Sequence, residues 1–416
     1  MMERKKREDL AVIAMGIAIC YFIYLAVMSE LPDTYADYNG HTYVYLPVFT
    51  GESFLKGWRT VPYCMWHVCV LALNLLLHIP LEVSVAYVSC FFQLFTYLVI
   101  YWMIQKYTWA KGNGIGSVTA AVLAAGLSII QGLSFSWLDA GGRFLGIFSA
   151  NPIHNPTQMA VRPFVLLCFA LVIDIWGAQK DKGYQGIFFK VENGLRRYYG
   201  YLAVILLLSA MAKPVFAAMF IPAVGLLMLW DWIRCILQKD GSAAAYFKQC
   251  LAVFFCAVPT VLYVLLSAAS YYIWGEIYQG DSSLILTKWM EVWKLYSENV
   301  ILSIGLGMAF PLFMILIDGR FFIKEAMGRL ALTGYLTGVL ESAVMGEANK
   351  LEHANYIWPM MCGMLLLWIT ALLRLVELER TQTDTKVRRI LVDFGWFLFC
   401  AHVLCGILYI REMIGG

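Results

Sequence analysis

Three polar stretches of the chain hold the residue types that could do chemistry. The first, residues 29–41, contains Asp33, Asp37 and His41 in an acidic, aromatic setting. In a helix starting after Pro32 these three stand at i, i+4 and i+8 and share one face. A carboxylate beside an imidazole can take a proton from an acceptor hydroxyl, so the trio is the candidate catalytic group. Asp33 directly follows Pro32 and serves equally well as a helix N-cap; Asp37 has no such second role. Asn39-Gly40 can break the helix, which makes the alignment of His41 weaker than that of the two aspartates.

The second stretch reads Asn151-Pro152-Ile153-His154-Asn155-Pro156-Thr157, followed by Arg162-Pro163. Two Asn-Pro turns around a histidine make a rigid polar corner at the mouth of a helix. His154 and Asn155 are therefore candidate ligand-binding residues. Arg162, one turn inside, needs an anion or an acid there. A bound phosphate and an ion pair with Glu347 or Asp37 are equal alternatives. Asn155-Pro156-Thr157 is no glycosylation acceptor, since proline fills its middle position. The third stretch, 341–355, offers Glu341, Glu347, Lys350, Glu352, His353 and Asn355. Much of it reads as a solvated loop, but Glu341 falls inside an apolar run, where an acid points to function. Lys213-Pro214 and Arg143 complete the set.

The elements that must position these residues are transmembrane helices. Of 416 residues, 61% are hydrophobic and only 14% charged, against about 25% charged in soluble domains. Mean hydropathy is +0.69. So few charges cannot solvate a soluble surface of this size. A soluble enzyme, a disulfide scaffold and a nucleic-acid-binding module are excluded, and no nucleic-acid partner is expected. The 11 cysteines form no CxxC pair and read as small buried hydrophobes. No cofactor is expected, with a divalent metal left open.

Met1 to Arg7 lead into an apolar stretch, Leu10 to Met28, long enough to span and read as a retained first helix rather than a cleaved signal. Further spans are expected at 82–104, 115–133, 158–178, 200–212, 214–236, 249–273, 297–317, 329–345, 355–376 and 390–411. The run 64–79, interrupted by His67 and Asn74 and stopped by Pro80, is short and reads as an interfacial or re-entrant helix. If it does not cross, most of the 31 basic residues fall on one side, the cytosolic one by the positive-inside rule. The fold class expected is thus all-α: one polytopic membrane domain of about eleven spans over 1–416, N-terminus in the cytosol and C-terminus outside. Its first outer loop, 29–81, carries amphipathic helices. The 200–212 piece, followed by Lys213-Pro214, reads as half of a broken helix pair with Lys213 at the outer end of a cavity. Lys56, Arg59, Arg143, Arg162, Lys213, Lys288, Lys294, Lys350 and Arg411 then face outward, where orientation does not require them. Those near helix ends are candidate anion binders. The outer aromatics Trp274, Tyr278, Trp289, Trp293 and Tyr296 read as an interfacial belt.

This organisation resembles the GT-C superfamily of membrane glycosyltransferases, which use polyprenyl-phosphate-linked sugars. The resemblance runs over most of the chain: a cytosolic N-terminus, one span, a long outer loop with an acidic residue and an amphipathic helix, an interfacial Trp66-His67 segment, then many spans with basic cytosolic loops. Locally, Asp37-x-x-x-His41, the Asn151 to Thr157 stretch with Arg162-Pro163, Ala212-Lys213-Pro214 and Glu352-His353-Ala354-Asn355 look like features of GT-C-like proteins from Gram-positive polysaccharide loci. The sequence departs from the family in lacking an Asp-x-Asp or Asp-Glu pair at the loop start and a soluble C-terminal domain. The resemblance implies an inverting transfer on the outer face of a bacterial cytoplasmic membrane, from a lipid-linked sugar donor to a glycan or lipid acceptor, with membrane lipids as surroundings. Asp37 would be the general base, with Asp33 competing. Arg162, Lys213 and His353 would hold the carrier phosphate, with Arg143, His154, Asn155, Lys350 and Glu352 as further substrate-binding candidates. A polysaccharide polymerase and a transporter or flippase are the alternatives, the latter because transporters build sites from broken helices. An O-acyltransferase ranks below them, since His402 is the only histidine deep in a span.

Overall fold

In the computed structural model, residues 2–34, 36–51, 53–133, 149–151, 153–191, 194–238, 243–270, 273, 284–297, 299–348, 351–381 and 385–415 are described. The side chains of 2–8, 19, 20, 32–34, 36, 414 and 415 lie outside that description. The chain is nearly all helix. It opens with α1 (Met2–Thr34), α2 (Ala36–Asn39), a π turn over Gly40–Tyr45, α3 (Leu46–Gly51), α4 (Phe54–Thr60) and α5 (Met65–Leu77). Three long or apolar helices follow: α6 (Leu81–Ala110), α7 (Ser117–Ile129) and α8 (Pro156–Lys180). Next come α9 (Arg196–Ala212), α10 (Val215–Gln238), α11 (Ala243–Ala269), the one-turn α12 (Glu291–Lys294), α13 (Val300–Gly307), α14 (Ala309–Ile317) and α15 (Gly319–Lys324). The chain closes with α16 (Ala326–Val344), α17 (Trp358–Thr381) and α18 (Lys386–Gly415).

Among the described residues, seven helices are long and apolar enough to cross a membrane, or eight if the pair α13–α14, bent by 76°, is one span. The other expected spans fall short of that standard: α7 with 13 residues and α9 with 17 are too short, and α16, with 19, is not apolar enough. The eleven read from the sequence included these three, with 200–212 already read as half of a broken pair. Residues such as Phe22, Leu226, Phe254, Ile301 and Leu316 point outward along these helices, as expected where the solvent is lipid.

The helices α8 and α17 are almost wholly buried and form the axis of the bundle. Along α17 runs α16, at a separation set by glycine. A Cβ at Gly338 would lie 2.5 Å from Met360 Cα, and one at Gly363 2.6 Å from Tyr335 Cα. Small residues here let two backbones touch, the usual route to tight packing where lipid gives no hydrophobic drive between helices.

Non-helical backbone inside such a bundle needs internal partners. Past the end of α7, Asn151 Nδ2 donates to the carbonyls of Leu127 (3.1 Å) and Ile130 (2.8 Å). The Gln131 N–H donates to His402 O (3.2 Å), and His402 Nδ1 lies 2.6 Å from Gln131 O. His402, the one histidine deep in a span, therefore ties an unwound segment to α18.

At the end of the bundle away from Lys213, ion pairs set the helix register. Arg329 holds Asp231 through both terminal nitrogens at 3.1 and 2.8 Å. Arg374 bridges Asp318 (2.6 Å) and Glu377 (2.9 Å). Asp174 accepts from Tyr184 Oη (2.6 Å) and from the N–H groups of Ile187, Phe188 and Phe189 (2.8, 2.9 and 2.7 Å), pinning the loop after α8. At the Lys213 end, β1 (Leu284–Leu286) pairs antiparallel with β2 (Met345–Glu347), Leu284 opposite Glu347.

Candidate functional site

Asn155 is the hub of the site. Its backbone is extended just before α8, and its side-chain Oδ1 caps that helix by accepting from the Gln158 N–H at 2.8 Å. The same oxygen accepts from Thr157 Oγ1 (2.9 Å) and from Lys213 Nζ (3.1 Å). Its Nδ2 donates to Asp37 Oδ2 at 3.0 Å. One amide thus bridges a half-buried carboxylate and a buried ammonium. Their residues stand far apart in sequence, on the segment after α1 and on the break between α9 and α10.

Pro214 explains that break. Without an N–H, and with Lys213 driven into extended backbone (φ −164°, ψ 121°), α9 stops at Ala212 and α10 starts at Val215. Lys213 is 6% exposed, and its Nζ lies 4.0 Å from the centre of the Trp358 ring. Burial lowers its pKa to about 7 against the opposing pull of Asp37. It lines a cavity of about 220 Å³ with Tyr63, Ser267, Glu347, Asn355 and Trp358. Asn355 Nδ2 donates to Glu347 Oε2 at 3.1 Å, which fixes one wall. The expectation that Lys213 stands at a cavity holds.

The other expected residues fall out differently. Asp33 lies in the last turn of α1, which runs unbroken through Pro32, so it does not open a helix as an N-cap; its side chain lies outside the described residues. Asn39-Gly40 does not break the helix either. The backbone widens into the π turn, and Asp37 and His41 take separate partners, Asn155 and His67. His41 is buried, 3.0 Å from His67 Nε2 through Nδ1, and its pKa is held well below the ordinary value, first by burial and then by repulsion from His67 and Lys213. His154 is buried with Nδ1 2.8 Å from Tyr409 Oη, and burial lowers its pKa to about 4.

Arg162 pairs with neither Glu347 nor Asp37. Its Nη1 donates to Gln93 Oε1 (2.8 Å) and its Nη2 reaches Ser128 O (3.5 Å), two turns of α8 below the Asn155 cap. It is 1% exposed and does not line the cavity. The reason is helical geometry: positions 155, 158 and 162 share a face, and that face turns into the bundle. Glu352 and His353 sit on an exposed turn, with His353 Nε2 4.0 Å from Glu352 Oε1. Arg143 and Lys350 lie outside the described residues.

Sequence reasoning passed over Tyr63, Gln158, Trp358 and Tyr409. Aromatic residues beside apolar runs carry no signal of their own; only folding sets Trp358 over Lys213. Between α9, α10 and α11 runs a second cavity of about 440 Å³, walled by Leu206, Phe220, Gly225, Met228, Phe247 and Phe254. Ala218 of α10 and Val264 of α11 line the first cavity, so both cavities use the same helix pair. No family model and no curated protein matches this chain.

Proposed function

We propose that the chain is a membrane glycosyltransferase that moves a sugar from a polyprenyl-phosphate-linked donor to a hydroxyl acceptor at the Lys213 end of the bundle. The observation that carries this reading is the Asp37–Asn155–Lys213 bridge beside a cavity, with an apolar groove along the same two helices. A carboxylate and a cation across one amide provide the two functions an inverting transfer requires. Asp37 takes the proton from the acceptor hydroxyl as its oxygen bonds to the anomeric carbon. The bond from that carbon to the phosphate oxygen breaks, the electron pair leaves with the polyprenyl phosphate, and Lys213 stabilises the charge. The apolar groove suits an isoprenoid chain entering sideways from the bilayer. By the positive-inside rule this end faces outward, and the shorter helices α7, α9 and α16 complete about eleven crossings with the GT-C arrangement.

The test is turnover of a radiolabelled panel of polyprenyl-phosphate sugars by the purified protein in nanodiscs. Asp37→Asn should lower turnover by about 10²–10⁴-fold, and Lys213→Met should weaken donor binding. Full activity in Asp37→Asn overturns the assigned base. The 76° bend between α13 and α14 favours transport as a second reading, since transporters use broken helices. Counterflow of a lipid-linked sugar in proteoliposomes without turnover would select it.

A further inference from the structure

His41 and His67 form an imidazole pair that the transfer step leaves unused. Their facing nitrogens, His41 Nδ1 and His67 Nε2, are 3.0 Å apart, and neither side chain is more than 6% exposed. The ring of His67 stacks on Phe49 (5.6 Å, 21°) and meets Trp66 edge-on (5.1 Å). His41 lies against Tyr45 (5.2 Å) and Tyr63 (6.4 Å), and Tyr63 lines the cavity with Lys213.

At this distance one proton stands between the two rings, so a neutral pair has two arrangements. If His41 donates, the second proton of the pair sits on His67 Nδ1. That atom is sealed from solvent and has no partner, so it would be an orphaned buried donor. If His67 donates through Nε2, its Nδ1 is left as a bare lone pair, and the second proton sits on His41 Nε2. Buried orphan N–H groups are rarer than under-satisfied acceptors, because a donor without an acceptor loses its whole interaction with water. His41 Nε2 makes no hydrogen bond among the described residues.

We propose that His67 is a positioning residue that locks His41 in the Nε2–H form, so that His41, behind the cavity-lining Tyr63, presents a hydrogen-bond donor suited to a phosphate oxygen and not a base. The only bare nitrogen of His41 accepts from His67 and is closed to a substrate proton. This removes His41 as the base of the trio and leaves the task to an aspartate. The phosphate assignment rests on the glycosyltransferase reading; the tautomer lock does not.

The experiment is nitrogen-15 NMR of imidazole-labelled protein in nanodiscs at neutral pH, with the histidines assigned by single replacements. Wild type should show His41 protonated at Nε2 alone and His67 protonated at Nε2 alone. His67→Gln keeps a donor facing His41 and should keep the single form. His67→Glu puts an acceptor there instead, and the His41 proton should move to Nδ1. A proton on Nδ1 of His41 in wild type, or an unchanged Nε2–H form in His67→Glu, overturns the lock. The wild-type spectrum decides the matter even if His67→Glu fails to fold. Addition of a short-chain polyprenyl phosphate should then shift His41 Nε2. A preserved lock with no such shift supports the positioning role and counts against the phosphate reading alone.

Discussion

Replacing Asn155 by alanine removes more than a cap. Its Oδ1 takes three hydrogen bonds, from the Gln158 N–H, Thr157 Oγ1 and Lys213 Nζ, at 2.8, 2.9 and 3.1 Å. Loss of the N-cap destabilises by about 1 kcal/mol. Leaving a buried ammonium without its acceptor adds about 1.5–3 kcal/mol. The Asp37 contact adds little, because that carboxylate is half-buried and water can replace the amide. Asn155→Ala should therefore lose about 3 kcal/mol, roughly a hundredfold in the folded-to-unfolded ratio. Asn155→Asp keeps the acceptor oxygen and gives Lys213 an opposite charge but turns the donor to Asp37 into a second carboxylate oxygen, so its loss should be smaller than that of Asn155→Ala. Reversible unfolding in mixed micelles, followed by tryptophan fluorescence, reads both variants. Asn155→Ala within about 0.5 kcal/mol of wild type, the scale of an ordinary surface change, would refute the hub.

Lys213, with its pKa near 7, should give donor binding a pH dependence. A polyprenyl-phosphate sugar is a diester of constant charge, so its Kd should weaken by about tenfold per pH unit above 7 as the ammonium is lost, and Lys213→Met should be flat; calorimetry across pH 6–9 checks this. His154, at about 4, and His41, well below its ordinary value, do not titrate in that window. The same lowered pKa means the unfolded chain binds more protons than the folded one between pH 7 and about 10.4, so stability should rise with pH across that range. Gly225→Leu, at a position where an added Cβ meets nothing within 4 Å, should leave the fold intact and weaken binding of long-chain polyprenyl phosphate but not of inorganic phosphate; equal loss of both would remove the groove from the site. Gly338→Ala drives a methyl against Met360 Cα and should destabilise by about 1–3 kcal/mol, with Gly225→Ala as the neutral control in the same melt.

The membrane class and most long helices were legible in the sequence because lipid imposes a one-dimensional rule: about 20 apolar residues per crossing. The stop at Lys213 was legible for a local reason as well, since proline both lacks the donor and bars helix from the residue before it. Span number was less so. Length and charge mark a run as apolar but do not say that α7 stops at Ile129, where Asn151 takes over its last carbonyls from 21 residues away.

The site divides along the same line. The sequence picks out Asp37 for the helix face it shares with Asp33, Asn155 for its Asn-Pro turn and Lys213 for the break at Pro214. It could not tell that one amide joins them, or that Arg162, drawn from the same stretch as Asn155, spends its charge on Gln93 instead of the cavity. Local rules act over one or two helical turns. Which faces turn toward each other, and so which distant polar groups meet, is decided only when whole helices pack.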